Sequence, residues 1–490
     1  MPLPFDPSRA RAIAETALGA ARAAGASYAD VRAIGQETES VAVKNEEISE
    51  LGRNHDFGFG VRVIADGAWG FASCSRLSES EGPRIASEAV AIARASASCR
   101  AAPVVLAPEH AHRAVWRTPF EQDPFSVPVS EKLDLLFRIS RALRRRKEIR
   151  VAHAEIQLKR KRQIFVSSEG ADIDQYLLRT GAGYVAMATD DQDMQARSFP
   201  ASHGGQWMCR GWELVGELRQ LENCERVADE ATALLAAPVC PAGKRDLILD
   251  GSQIALQIHE SCGHPTELDR VLGTEANYAG TSFLTPEKLG RFAYGSRHVT
   301  ITADSTIPGG LATVAFDDEG VTAQHWPLVL AGTFAGYLTS RETAASIGEP
   351  RSRGAMRADG WSRLPIIRMP NISLEPETGT LDDLIADTRD GIYMETNRSW
   401  SIDQRRIEFQ FGTEIAWEVK DGRRGRILKR PVYRGKTPEF WGACDAVCGP
   451  GAWRLWGVGN CGKGEPPQTA EMSHGAAPAR FRGVEIGGAS

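Results

Sequence analysis

At Ala237-Pro238 and the loop Cys240-Pro241-Ala242-Gly243-Lys244 the hydrophobic pattern changes character, and the change divides the chain into two kinds of structure. Before it, apolar residues at helical spacing alternate with stretches of period two. After it come short β-type runs separated by Gly, Asn, Asp and Pro. The pattern predicts an α+β protein: an N-terminal α/β domain of antiparallel strands and helices over 1–240, then a β-dominated domain over 241–490 that carries one notable helix.

In the first half, Asp6-Pro7-Ser8 supplies a cap and a first-turn proline, and Ile13, Ala17, Leu18 and Ala21 fall on one helical face over 7–24. Strands are expected at 28–34, 40–44 and 57–64, with Asp66-Gly67 as a tight turn, then a helix over 79–98. The order recurs: a helix over 130–148, strands at 151–158, 163–167 and 174–188, and one long helix over 213–236. No residue-level repeat accompanies it. In the second half the expected strands are 246–249, 298–302, 313–316, 326–330, 407–417 and 425–433, and the expected helices 252–262 and 381–388.

The 58 Lys and Arg against 63 Asp and Glu leave a net charge of −5, so no global positive field gathers DNA or anionic lipid. The longest apolar runs, at 231–239 and 327–332, fall far short of the roughly 18 residues of a membrane span. Nine cysteines are too sparse for a disulfide scaffold, and MPLPFDPSRARAIAETALG lacks the apolar core of a signal peptide, which together predict a cytoplasmic protein. Eleven basic residues lie between Arg138 and Arg162. One set falls on a helix end, where cations suit the dipole, and the other at an expected turn. With no aromatic platform beside them, no direct nucleic-acid partner is expected, and no membrane.

Chemistry is concentrated in Asp250-Gly-Ser-Gln-Ile-Ala-Leu-Gln-Ile-His259-Glu260-Ser-Cys262-Gly263-His264-Pro265. Two imidazoles can hold a zinc ion, and a carboxylate beside the first can take a proton from water. The histidines are five residues apart, which sets them about 140° apart around a regular α-helix. Converging them requires a π-type bulge or a helix end, and Gly263 with Pro265 is suitable local chemistry. Otherwise the pair merely caps the helix. A third ligand decides between these readings, and Cys461, between glycines in Gly457-Val-Gly-Asn-Cys461-Gly-Lys463, is the leading source, with Lys463 adding positive charge; Cys444, Cys448 and Cys262 are rivals.

The string HESCGHPTELD with a Cys461-Gly-Lys tract near the end resembles the metal-bearing TldD branch of the TldD/PmbA metalloprotease family, whose members are sometimes labelled modulators of DNA gyrase. The resemblance runs nearly the whole chain. It includes Gly58-Phe59-Gly60-Val61-Arg62-Val63 and Gly67-Ala68-Trp69-Gly70-Phe71, then Phe316-Asp317-Asp318-Glu319-Gly320, Tyr337-Leu-Thr-Ser-Arg341-Glu342, Met356-Arg357-Ala358-Asp359-Gly360-Trp361, Arg368-Met369-Pro370-Asn371 and Asp390-Gly391-Ile392-Tyr393. It implies that the HExxxH histidines His259 and His264, with Cys461, bind zinc and that Glu260 is the general base. It also implies a homodimer, or a heterodimer with a PmbA/TldE-like subunit, cleaving small, unfolded or flexible peptides inside a dimer cavity. Pro265-Thr266 departs from the glycine-containing sequence of the best-known TldD proteins.

On this reading a zinc-dependent peptidase works by metal-activated water, with Glu260 taking and returning the proton. The resemblance further implies that substrate pairs with a strand edge, near 313–316 or 391–395. Asp317, Asp318, Glu319, Tyr393, Asn397, Arg398 and His474 are candidate substrate contacts, the acidic three otherwise forming a solvated turn. The alternative, from another class, is a peptide-binding or chaperone-like protein in which zinc is structural, with Cys262 completing a closed shell. A third is a partner subunit that completes another chain's chamber.

Overall fold

Helix Pro7–Ala23 starts where Asp6 caps it, the Asp6 side chain accepting the Ser8 N–H at 2.9 Å, and it opens a computed structural model that describes residues 5–488. The strands Tyr28–Lys44, Glu47–Ala65 and Ala68–Cys74 form a meander, and helix Glu81–Ala97 packs back onto it. A second set follows in the same order. Helix Val129–Leu143 precedes strands Ile149–Ser167, Asp172–Thr189, Met194–Phe199 and Gln206–Met208, and helix Gln220–Ala236 closes the set.

Both sets share one eight-stranded sheet, because Tyr28–Lys44 and Ile149–Ser167 pair antiparallel from Asp30 opposite Ser167 to Lys44 opposite His153. Strand alternation then separates the two faces. Ala154, Ile156 and Leu158 bury toward Leu136, Ile139 and Val227 of the helices, while Val31 and Ala33, on the same face, meet Ile13, Ala17 and Ile85. Glu155, Gln157, Lys159, Lys161 and Gln163 turn the other way, toward the second half of the chain, where Lys159 meets Glu471 at 2.5 Å and Gln163 meets Asp318 at 2.7 Å.

Several expected elements differ. The strands expected at 28–34 and 40–44 are one, as are those at 151–158 and 163–167. Their polar middles are buried in ion pairs: Glu37 with Arg160 at 2.6 Å and Glu39 with Lys132, while Arg53, itself exposed, reaches Glu37 from outside. Thus the basic run at 159–162 lies inside a strand and not at a turn. The helix expected over 213–236 breaks at Arg219, whose φ of 48° is left-handed, into Glu213–Glu217 and Gln220–Ala236.

Beyond residue 240 two further sheets carry the core. Strands Asp390–Ile402, Gly243–Leu249, Ala479–Gly488, Pro431–Lys436 and Glu408–Lys420 pair in that order, and the last returns to the first, closing a five-stranded barrel. The second sheet runs Thr333–Phe334, His325–Leu330, Ile301–Asp304, Asn371–Leu374, Gln468–Ala476 and Arg454–Lys463, the last being an edge. Helix Gly251–Ile258 leaves the barrel strand Gly243–Leu249 through Asp250, whose side chain accepts the Ser252 N–H at 2.8 Å. The whole is a mixed α and β structure.

Neither strand edge suggested for substrate exists. Residues 313–316 form no strand and contribute only the isolated bridge between Phe316 and Thr322. Residues 391–395 lie inside the barrel wall, paired on one side with Asp246 to Leu249 and on the other with Glu418, Trp417 and their neighbours.

Candidate metal centre

Helix Gly251–Ile258 passes into a π turn, His259–Gly263, and the His264 N–H donates to the His259 carbonyl. That i to i+5 bond widens the turn by one residue and brings two side chains five apart onto one face. Their rings stand 4.9 Å apart at 89°. Cys461 reaches them from the edge strand Arg454–Lys463. There the pairing moves from Val458 opposite Met472 to Cys461 opposite Ala470, three residues against two, and this β-bulge swings the thiol inward. Cys461 Sγ lies 3.2 Å from His259 Nε2 and 3.7 Å from His264 Nε2, and all three atoms fall within 4.8 Å of one another.

The hydrogen bonds behind the rings determine which nitrogens face the thiol. His474 Nδ1 stands 3.1 Å from the Ile372 carbonyl, which can only accept, so His474 Nδ1 carries a proton and its Nε2 accepts. His259 Nδ1, 2.8 Å from His474 Nε2, therefore donates, leaving a lone pair on His259 Nε2. His264 Nδ1 donates in the same way to Glu267 Oε2 at 2.9 Å. Glu267 is held in turn by Lys463, whose Nζ is 3.5 Å from its other oxygen and 2.7 Å from Asp269. Burial pushes all three imidazoles below their ordinary pKa, so they are neutral at pH 7.

Two imidazole lone pairs and one sulfur, each ring fixed from behind by an acceptor, suit zinc in donor type and in support. Cys262 points elsewhere, into the core against Tyr294, and Cys444 and Cys448 do not join the cluster. Glu260, adjacent in sequence, pairs its Oε2 with Arg406 Nη1.

Glu260, both histidines and Cys461 line a cavity of 830 Å³ between the two halves of the chain. Its walls come from the loop 201–204 with Trp207, from Asn397 and Trp400 to Ile402, and from the edge strand at 456–462. Of the residues read as substrate contacts, Asn397 lines this cavity, with Oδ1 at 3.3 Å from His203 Nε2. His474 does not: strand alternation turns it under His259, fully buried. Tyr393 is also buried, stacked on Trp417 at 5.3 Å. Arg398 does not line it either.

The acidic turn is neither solvated nor at the cavity. It is buried against the first half, with Asp318 3.4 Å from Arg32 and Glu319 3.2 Å from Arg62, while Asp317 accepts the Glu319 and Val321 N–H groups at 2.9 Å. Burial, with Glu319 beside it, holds the Asp317 carboxyl well above the usual range. Sequence reading did not single out Glu267 or Arg406. The first carries a local signal, a carboxylate three residues after His264 on the same turn; the second, 146 residues away from Glu260, carries none.

Three family models match the chain: PmbA/TldA metallopeptidase domain 1 at 29–93, the central domain at 122–237 and the C-terminal domain at 242–488. The chain is 28% identical over 438 residues to a metalloprotease of Methanocaldococcus jannaschii, covering 89% of this chain and 92% of that one. It is 24% identical over 253 residues, about half of each chain, to a protein of Saccharolobus solfataricus named a zinc metalloprotease TldD homolog. In fold it is similar to TldE of Thermococcus kodakarensis, with a TM-score of 0.73 at 16% identity, over 97% of this chain and all of that one.

Proposed function

This chain belongs to the PmbA/TldD metallopeptidase family, and from that premise we propose that it is a zinc-dependent peptidase acting on small, unfolded or flexible peptides. The observation that carries the proposal is the convergence of His259 Nε2, His264 Nε2 and Cys461 Sγ on the wall of a cavity that Glu260 also lines. These three residues would hold the ion. When bound there, zinc supplies Lewis-acid chemistry, making water more acidic and polarising a peptide carbonyl.

The remaining work falls to the chain's own groups. Glu260 takes a proton from the attacking water on its carboxylate and returns it to the departing amine. Arg406 holds that carboxylate in place through its ion pair. Glu267 and His474 keep the ligand nitrogens unprotonated toward the cavity. A peptide adds as a strand beside Arg454–Lys463, a sheet edge that lines the cavity, so backbone bonds set its register with little demand on sequence.

We read 1–240 and 241–490 as two domains whose facing surfaces form the site, working as a homodimer or beside a PmbA/TldE-like subunit. Nine cysteines without a disulfide favour a reducing, cytoplasmic setting. Among the described residues no helix is long and apolar enough to cross a membrane. The test is Glu260→Gln: the variant keeps zinc at the level of the parent protein and loses peptide cleavage by two orders of magnitude or more, about the contribution of one acid–base group. Full cleavage by that variant, or a parent protein that binds zinc and cleaves no flexible peptide, ends the proposal.

A further inference from the structure

Three formally charged side chains line the cavity besides its imidazoles: Glu155, Glu260 and Arg406. Glu260 and Arg406 neutralise each other. Glu155 is left over. It projects from strand Ile149–Ser167 on the face turned toward the second half, its Oε2 accepts from Gln157 Nε2 at 2.7 Å, and no cation pairs with it among the described residues.

The wall around it is aromatic. Trp207 is held between two backbones that come close only because glycines stand there: a methyl on Gly181 would lie 2.2 Å from the indole, and one on Gly459 3.3 Å. A methyl on Gly204, whose φ is +90°, would sit 3.0 Å from Glu155 Oε1 and 3.3 Å from Trp207 Nε1, so carboxylate and indole border the same gap. Trp456 lines the cavity from the edge strand, and Trp400, 46% exposed, stands edge-on to His203 at 5.4 Å. A half-buried carboxylate with no cation beside it repels anions and attracts a cation by its charge, and the indoles that line the same cavity offer apolar surface to the carbon chain carrying that cation.

Resting on the peptidase reading, we infer that this wall is a cation subsite, in which an ammonium or guanidinium of the peptide pairs with Glu155 while its carbon chain lies against Trp207, Trp400 and Trp456. Two parts of a peptide present that chemistry, a lysine or arginine side chain and a free amino terminus. The subsite thus gives a cavity that otherwise reads backbone a preference in charge.

Stopped-flow tryptophan quenching of the full-length, zinc-loaded protein, read before turnover, tests this with four matched peptides: acetylated with one lysine, acetylated with norleucine there, acetylated with glutamate there, and the norleucine peptide with a free amino terminus. One cationic peptide binds about tenfold or more tighter than acetylated norleucine, and glutamate binds weakest. A lysine advantage assigns the subsite to a side chain, and a free-terminus advantage to the α-ammonium. In Glu155→Gln the advantage falls to about twofold or less, while Glu155→Asp keeps part of it. Equal binding of all four, no measurable binding, or an advantage that survives Glu155→Gln overturns the subsite. Cleavage of the same peptides by the parent protein separates the two claims. A cation advantage without cleavage removes the peptidase reading alone, and cleavage of all four with equal kcat/KM removes the subsite alone.

Discussion

His264 Nδ1 lies 2.9 Å from Glu267 Oε2, three residues along the same buried turn, so the ring that faces Cys461 is oriented by a carboxylate its own segment supplies. Lys463, two residues from Cys461, closes the arrangement by holding Glu267 and Asp269. His264 and the groups behind it in the candidate metal centre therefore come from the same two segments of chain as Cys461, while His259 is backed from strand Gln468–Ala476 by His474.

Removing that support weakens metal binding without touching a ligand. Glu267→Gln lowers zinc affinity about 10- to 100-fold, the usual cost of losing the partner behind a ligating imidazole. Competition against a chromogenic chelator measures it. An unchanged affinity means that Glu267 does not orient His264.

The π turn leaves no room at Gly263, where an added Cβ would meet Met369 Sδ at 2.2 Å in a fully buried position. Gly263→Ala destabilises the protein by about 1–3 kcal/mol through overpacking and loosens the metal site with it. Denaturant unfolding and zinc content of the variant check both; a midpoint equal to the parent's shows that the turn yields easily.

Lys161 faces Asp318 across the junction of the two halves, and burial pushes its pKa down to about 8. The unfolded chain, with a lysine pKa of about 10.4, binds more protons than the folded one between these values, so this residue makes stability rise as pH increases from about 8 to about 10.4. Below that window the fold bears the full cost of a buried ammonium. Lys161→Met is accordingly more stable than the parent at pH 7, and its advantage shrinks by pH 10. Urea midpoints at the two pH values measure it, and a constant difference contradicts the assignment.

What could be read from sequence followed from how local each signal is. Helix Pro7–Ala23 was announced by Asp6, Pro7 and its apolar face, and the π turn by the spacing of His259 and His264 with Gly263 between them. Long strands were cut short in reading because Glu37, Glu39 and Arg160 look like loop residues until their partners, far away in sequence, bury them. The same cause hid the place of the acidic turn, in which Asp318 and Glu319 answer Arg32 and Arg62 of the first half while Asp317 accepts backbone N–H groups. Cys461 was one of several cysteines by spacing, and resemblance to a family ranked it first. The π turn and the bulge at Val458 and Cys461 bring it to the histidines, and no sequence period encodes that meeting.

The central claim is a zinc ion held by His259, His264 and Cys461 with one position open to the cavity. X-ray absorption at the zinc edge of the purified full-length protein tests it most directly. One sulfur, two imidazole nitrogens and one further oxygen or nitrogen donor that exchanges with added ligand is the predicted shell, and the sulfur signal disappears in Cys461→Ser. A shell of two or more sulfurs, or four protein donors that no added ligand displaces, contradicts the account.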